Sequence, residues 1–118
     1  MILNDNGFFR DKDETRMTHF RHRGVLMAED DRIVFLYKNG DRAEVMFGDI
    51  DNIEIDHLIT FIHMKDGRTL MFTPRGTGYG AISNGISSRR INTNVYNTLN
   101  YLLEKYGDKN KKTNFNSV

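Results

Sequence analysis

Cysteine is missing from the 118-residue chain, and so is any hydrophobic run long enough to cross a bilayer. The first absence excludes disulfides, thiolate catalysis and cysteine-held zinc together, and it fits a reducing compartment. The second excludes a membrane-spanning helix, which needs about 18 or more consecutive apolar residues. The opening MILNDNGFFR also lacks the basic start and the apolar stretch of about 7–15 residues that mark a secretory leader. The expectation is a cytoplasmic protein without a transmembrane segment. Apolar residues make up only 38%, against about 45–50% in typical domains (a figure that counts glycine). That suits one small domain with much surface.

The net charge of +1 conceals an uneven distribution. Residues 1–23 sum to +1, residues 24–56 to −6 and residues 57–118 to +6. A bipolar chain can associate head to tail or turn its basic side to an anion. The plainer reading is that turns and solvent faces carry these charges.

Residues 1–14 show no clear period and read as a leading arm or short helix. Thr15–Arg23 alternates as an edge strand would. Gly24–Glu29 is an apolar run closed by Asp30-Asp31, and Arg32–Lys38 is rich in β-branched and aromatic residues that fit a pleated surface. Asn39-Gly40 and Asp66-Gly67 then mark two hairpins, and Asn-Gly suits a type I′ turn because both central residues there need positive φ. Ala43, Val45 and Phe47 fall on one face of the strand after Asn-Gly. The segment Leu58–Met64 is apolar on both faces, which predicts a central strand.

Ile91, Val95, Leu99, Leu102, Leu103 and Tyr106 recur at spacings of three and four, which predicts a core-facing helix from Ile91 to Tyr106. Asn92, Thr93 or Asn94 is its candidate N-cap and Gly107 its left-handed C-cap. The expected organisation is an arm (1–14), one domain (15–107) and a disordered basic tail (108–118).

Four segments carry a family pattern: Arg23-Gly24-Val25-Leu26, Asp30-Asp31-Arg32-Ile33-Val34-Phe35, Phe47-Gly48-Asp49-Ile50-Asp51-Asn52-Ile53, and Met64-Lys65-Asp66-Gly67-Arg68-Thr69-Leu70-Met71-Phe72. In this order residues 24–106 resemble the bacterial pleckstrin-homology-like and GRAM-like families. The resemblance implies a mainly β fold, an antiparallel barrel of six or seven strands capped by one C-terminal helix. It also implies a binding role toward phosphoinositides, peptides or other copies, with no catalytic signature. The chain departs from the pattern in its charged N-terminal arm and in a long glycine-rich connection over 73–90.

That connection, TPRGTGYGAISNGISSRR, invites nucleotide-binding readings that fail on inspection. Gly80–Ser87 puts Ile86 where a P-loop needs lysine, and Gly76–Ala81 lacks both an unbroken following helix and a βαβ unit. What survives is an anion site made of Arg75, Gly76, Gly78, Arg89 and Arg90, with free amides and guanidinium forks to hold a phosphate. The plainer reading is a connection whose glycines set its turns.

Arg21, His22 and Arg23, beside Phe20, form a basic aromatic strip suited to nucleic acid. An ordinary polar edge strand has the same composition. On such a strand His19 and His22 point to opposite faces and lack further ligands, so no metal is expected. Asp49-x-Asp51-Asn52 resembles the start of a calcium loop but has Glu54 and Thr60 where glycine and glutamate belong, which favours a polar turn carrying Ile50 and Ile53 into the core. His57 and His63 are isolated in sequence, and Ser83, Ser87 and Ser88 have no neighbouring histidine.

The expectation is therefore a non-enzymatic module without cofactor, acting through a protein partner or self-association. A phosphate-bearing ligand, either a lipid headgroup or a nucleic-acid backbone, is the further candidate. The alternative is a small nucleic-acid-binding regulator using the loop, Arg21, Arg23 and the tail.

Overall fold

The computed structural model describes residues 1–12, 22–74 and 81–107, with the backbone alone for 81–88. Seven strands form one antiparallel sheet: β1 (Ile2–Asp11), β2 (Arg23–Glu29), β3 (Arg32–Tyr37), β4 (Arg42–Met46), β5 (Ile50–Asp56), β6 (Ile59–Met64) and β7 (Thr69–Pro74). A 3-10 turn (Phe47–Asp49) joins β4 to β5, and helix α1 (Ala81–Tyr106) follows β7. The sheet order is β4-β3-β2-β1-β7-β6-β5, so β4 and β5, consecutive in sequence, are its two edges and the sheet is not closed.

The first strand corrects the reading of residues 1–14 as an arm. Irregular registers between Ile2 and Asn4 and between Asn4 and Gly7 break the alternation that would have betrayed a strand. Pairing on both sides supplies what local pattern does not, because β1 bonds to β2 and to β7 and joins the two halves of the sheet. The strand expected over Thr15–Arg23 lies outside the described residues up to Arg21.

Alternation organises the remaining strands. Gly24, Leu26 and Ala28 on β2, Thr60, Ile62 and Met64 on β6, and Leu70, Phe72 and Pro74 on β7 are buried, with half-buried residues between them. Phe35 is the hub of the core, stacking on Phe9 at 5.2 Å and meeting Phe72 edge-on at 6.4 Å. Gly24 permits this closeness, since a Cβ there would collide with the Leu36 carbonyl and the Phe35 ring.

Both hairpin signals mark real turns, of a different type from the one expected. Gly40 N–H bonds to Tyr37 C=O and Gly67 N–H to Met64 C=O, each at 3.0 Å, closing three-residue loops. Only the glycines turn left-handed, with φ of +97° and +95°. The preceding Asn39 and Asp66 use their side chains instead, accepting the N–H of Asp41 at 2.8 Å and of Arg68 at 2.9 Å. A side-chain acceptor two residues back stabilises the loop without forcing a second residue to positive φ.

Helix α1 packs against β5, β6, β7, β1 and the 3-10 turn. Val95, Leu99, Leu102 and Leu103 are buried, and Ile91 and Tyr106 pack against the same core. The helix begins ten residues earlier than the stripe predicted. Gly85 lies within the helix, where one glycine costs only about 1 kcal/mol relative to alanine. Asn92, Thr93 and Asn94 are therefore interior and not caps. Gly107 is likewise not left-handed; its N–H bonds to Leu103 C=O at 2.8 Å.

Candidate functional site

Of the predicted anion site, Arg89 and Arg90 fall among the described residues. Arg75, Gly76 and Gly78 lie outside the described residues, and the run from Ala81 onward is helix where a loop was expected. Arg89 and Arg90 are exposed on α1, with no ion pair to another described residue. Of the basic strip, Arg21 lies outside the described residues, His22 is buried, and the Arg23 guanidinium donates to Asn6 Oδ1 at 3.0 Å. Ile50 and Ile53 enter the core with Asp51 and Asn52 exposed, as expected, but these residues lie on strand β5 and not on a turn. Among the described residues no three His, Asp or Glu side chains gather as metal ligands, and no helix is long and apolar enough to cross a membrane.

The geometry draws attention to the open mouth of the sheet. A cleft of about 320 Å³ lies there between the two halves. Its floor is apolar, made by Phe9, Tyr37, Ala43, Val45, Met64 and Leu70, and its rim carries Arg10, Asp11, Glu44, Asp49 and Arg68. Tyr37 fixes the floor by donating its hydroxyl to Phe9 C=O at 3.2 Å, across the intervening β2. A second hollow of about 510 Å³ lies between Leu102 and Tyr106 of α1 and the β2–β3 turn.

What distinguishes the first cleft is the strand beside it. Tyr37 N–H bonds to Asp41 C=O at 2.8 Å, which sets the phase of the β3–β4 ladder. Bonded and non-bonded pairs alternate along antiparallel strands. Ala43 and Val45 therefore bond to Phe35 and Ile33, whereas the N–H and C=O of Arg42, Glu44 and Met46 point to the edge, where no described strand pairs with them.

The same strand carries a charge lattice on its outer face. Arg32 reaches Glu44 at 3.0 Å and Asp31 at 3.0 Å, and Arg42 reaches Glu29 at 3.3 Å and Glu44 at 3.6 Å. The bond from Arg32, with both arginine charges nearby, holds the Glu44 carboxyl below its usual range; the hydrogen bond to Asp31, then that to Glu44, raises the Arg32 guanidinium. Arg42 on β4 and Glu29 on β2 bridge over β3 at the level of Val34, which is fully buried although it faces outward. The lattice pairs three of the nine acids of residues 24–56 with two of their three basic residues, so the acidic excess of that stretch remains.

His63 is not isolated. Its Nε2 lies 2.6 Å from Glu54 Oε1 and its Nδ1 3.1 Å from Thr69 Oγ1, tying β5, β6 and β7 together on the outer face. The three groups line neither hollow, and the arrangement is a cross-strand tie. Its members are adjacent only through strand register, so no sequence spacing announces it. A scan against protein-family models finds no match to this chain, and a search of curated proteins finds none either.

Proposed function

We propose that this protein is a non-enzymatic interaction module that captures an extended protein segment, from a partner or from another copy, along the edge of β4, with which no described strand pairs. The observation that carries the reading is the coincidence of a strand edge, with which no described strand pairs, and a cleft with buried apolar side chains and a charged rim. Strand addition gains affinity from main-chain hydrogen bonds, and a pocket beside the edge selects side chains. Kinship with the pleckstrin-homology-like and GRAM-like families belongs to the same proposal, and the seven strands with a terminal helix are compatible with it. So does a cytoplasmic setting, which rests on the missing cysteine.

Met46→Pro tests the edge without breaking the ladder. Met46 has φ −73°, which proline adopts without strain, and the N–H that proline removes is one of the outward ones. Peptides selected from a random displayed library on the wild-type protein should bind Met46→Pro about tenfold or more weakly, as expected when edge bonds are lost. Undiminished binding, or a library that yields no binder, rejects the reading.

Anion capture remains a second reading because Arg89 and Arg90 are exposed side by side on α1. The double change Arg89→Ala plus Arg90→Ala should remove most of the affinity for anionic liposomes or for an oligonucleotide. A steep salt slope would mark the nucleic-acid regulator, and binding to anionic but not neutral vesicles would mark a headgroup site. If neither probe binds at low salt, α1 carries no anion site.

A further inference from the structure

Resting on the edge-strand reading above, we propose that the partner of β4 is β4 of a second copy, joined antiparallel about a two-fold axis through Ala43. The strand's own charges carry the inference. Only residues whose backbone groups face the edge can form bonded pairs across it, and these are Arg42, Glu44 and Met46. Centring the pairing on Ala43 sets Arg42 against Glu44 of the second copy and Glu44 against its Arg42. Centring it on Glu44 opposes two carboxylates, and centring it on Arg42 opposes two guanidinium groups. Opposite charges directly across a strand pair stabilise it and like charges oppose it, so the sequence Arg-Ala-Glu selects the first register.

The surroundings accept this register. Arg42 and Glu44 side chains are 45% and 40% exposed on the outer face, so both can reach across the edge without disturbing the core. Met46 of the second copy falls opposite Gly40, around which a side chain would meet nothing within 4 Å. Ala43 and Val45 of the second copy continue the apolar inner face over the cleft. The contact is isologous, each edge serving and being served by the other, so it closes as a dimer and does not propagate.

Sedimentation velocity over a range of concentrations tests the pairing. The wild-type chain should show a concentration-dependent monomer–dimer equilibrium. Arg42→Glu and Glu44→Arg should each weaken dimerisation about tenfold, since either change acts twice across the axis. The exchange Arg42→Glu plus Glu44→Arg should restore it. A monomer at every concentration up to high micromolar overturns the self-pairing, as does a dimer insensitive to both reversals. Circular dichroism verifies that the reversed variants fold, because both residues also bond within the chain; should they not, Met46→Pro must by itself yield a monomer. A monomeric wild type whose library peptides are still lost in Met46→Pro removes the self-pairing alone. A dimer untouched by Met46→Pro removes the edge as its seat altogether.

Discussion

Replacing Leu99 with alanine should lower stability by roughly 2–5 kcal/mol, the usual cost of emptying a leucine-sized core site. Leu99 is fully buried, at the centre of the α1 stripe and in one cluster with residues from both halves of the sheet. The sheet is open, and among the described residues α1 is the helix that covers its inner face. The loss should appear as a shift in denaturant midpoint at nearly constant m-value, since the surface exposed on unfolding scarcely changes. A midpoint within error of wild type would mean that the stripe does not seal the core. Tyr101→Ala provides the contrast: that side chain is 63% exposed, so its removal should change stability by less than about 0.5 kcal/mol.

The elements that could be read from sequence are those whose signal is local. The α1 stripe, the two glycine turns and the two-faced apolar pattern of β6 each need only a few neighbouring residues. The mainly β class with a terminal helix followed from them. β1 was hidden because its bulges scramble the alternation and its stability comes from partners far along the chain. The first ten residues of α1 were hidden because glycine and serine weaken helix propensity without forbidding helix. Among functional features, exposed Arg89 and Arg90 were foreseen as residues but placed on a loop. The edge position of β4, the cleft beneath it and the Glu54–His63–Thr69 tie depend on sheet order and register, which a single sequence does not encode at short range. The Arg42-Ala43-Glu44 triplet is the exception: its charges were visible, but their meaning requires knowing that β4 lies at an edge.

Asn92 shows how the same residue can be noticed for the wrong reason, and it supplies the second large effect. Asparagine near a helix start suggested a cap; instead the side chain is fully buried in mid-helix. Its Oδ1 accepts the Thr60 hydroxyl at 2.7 Å, and its Nδ2 donates to His57 C=O at 3.1 Å. His57 has φ +53°, the only positive value among the described residues other than glycine. The amide thus ties α1 both to the buried face of β6 and to the turn that joins β5 to β6. Asn92→Leu should cost about 2–4 kcal/mol, because a buried hydroxyl and a partly buried carbonyl lose their partners at about 1–3 kcal/mol each. Thr60→Val alone should cost about 1–3 kcal/mol, leaving the Asn92 oxygen without its donor. Together the two changes replace a polar pair by apolar groups of similar shape. The double variant should therefore be more stable than the sum of the single losses predicts, by about 1–2 kcal/mol in a double-mutant cycle. The His57 carbonyl stays unpaired in both Asn92 variants, so that part of the loss should persist. Strictly additive losses would mean that Asn92 holds α1 by packing alone and that the buried hydrogen bond between Thr60 and Asn92 contributes nothing of its own.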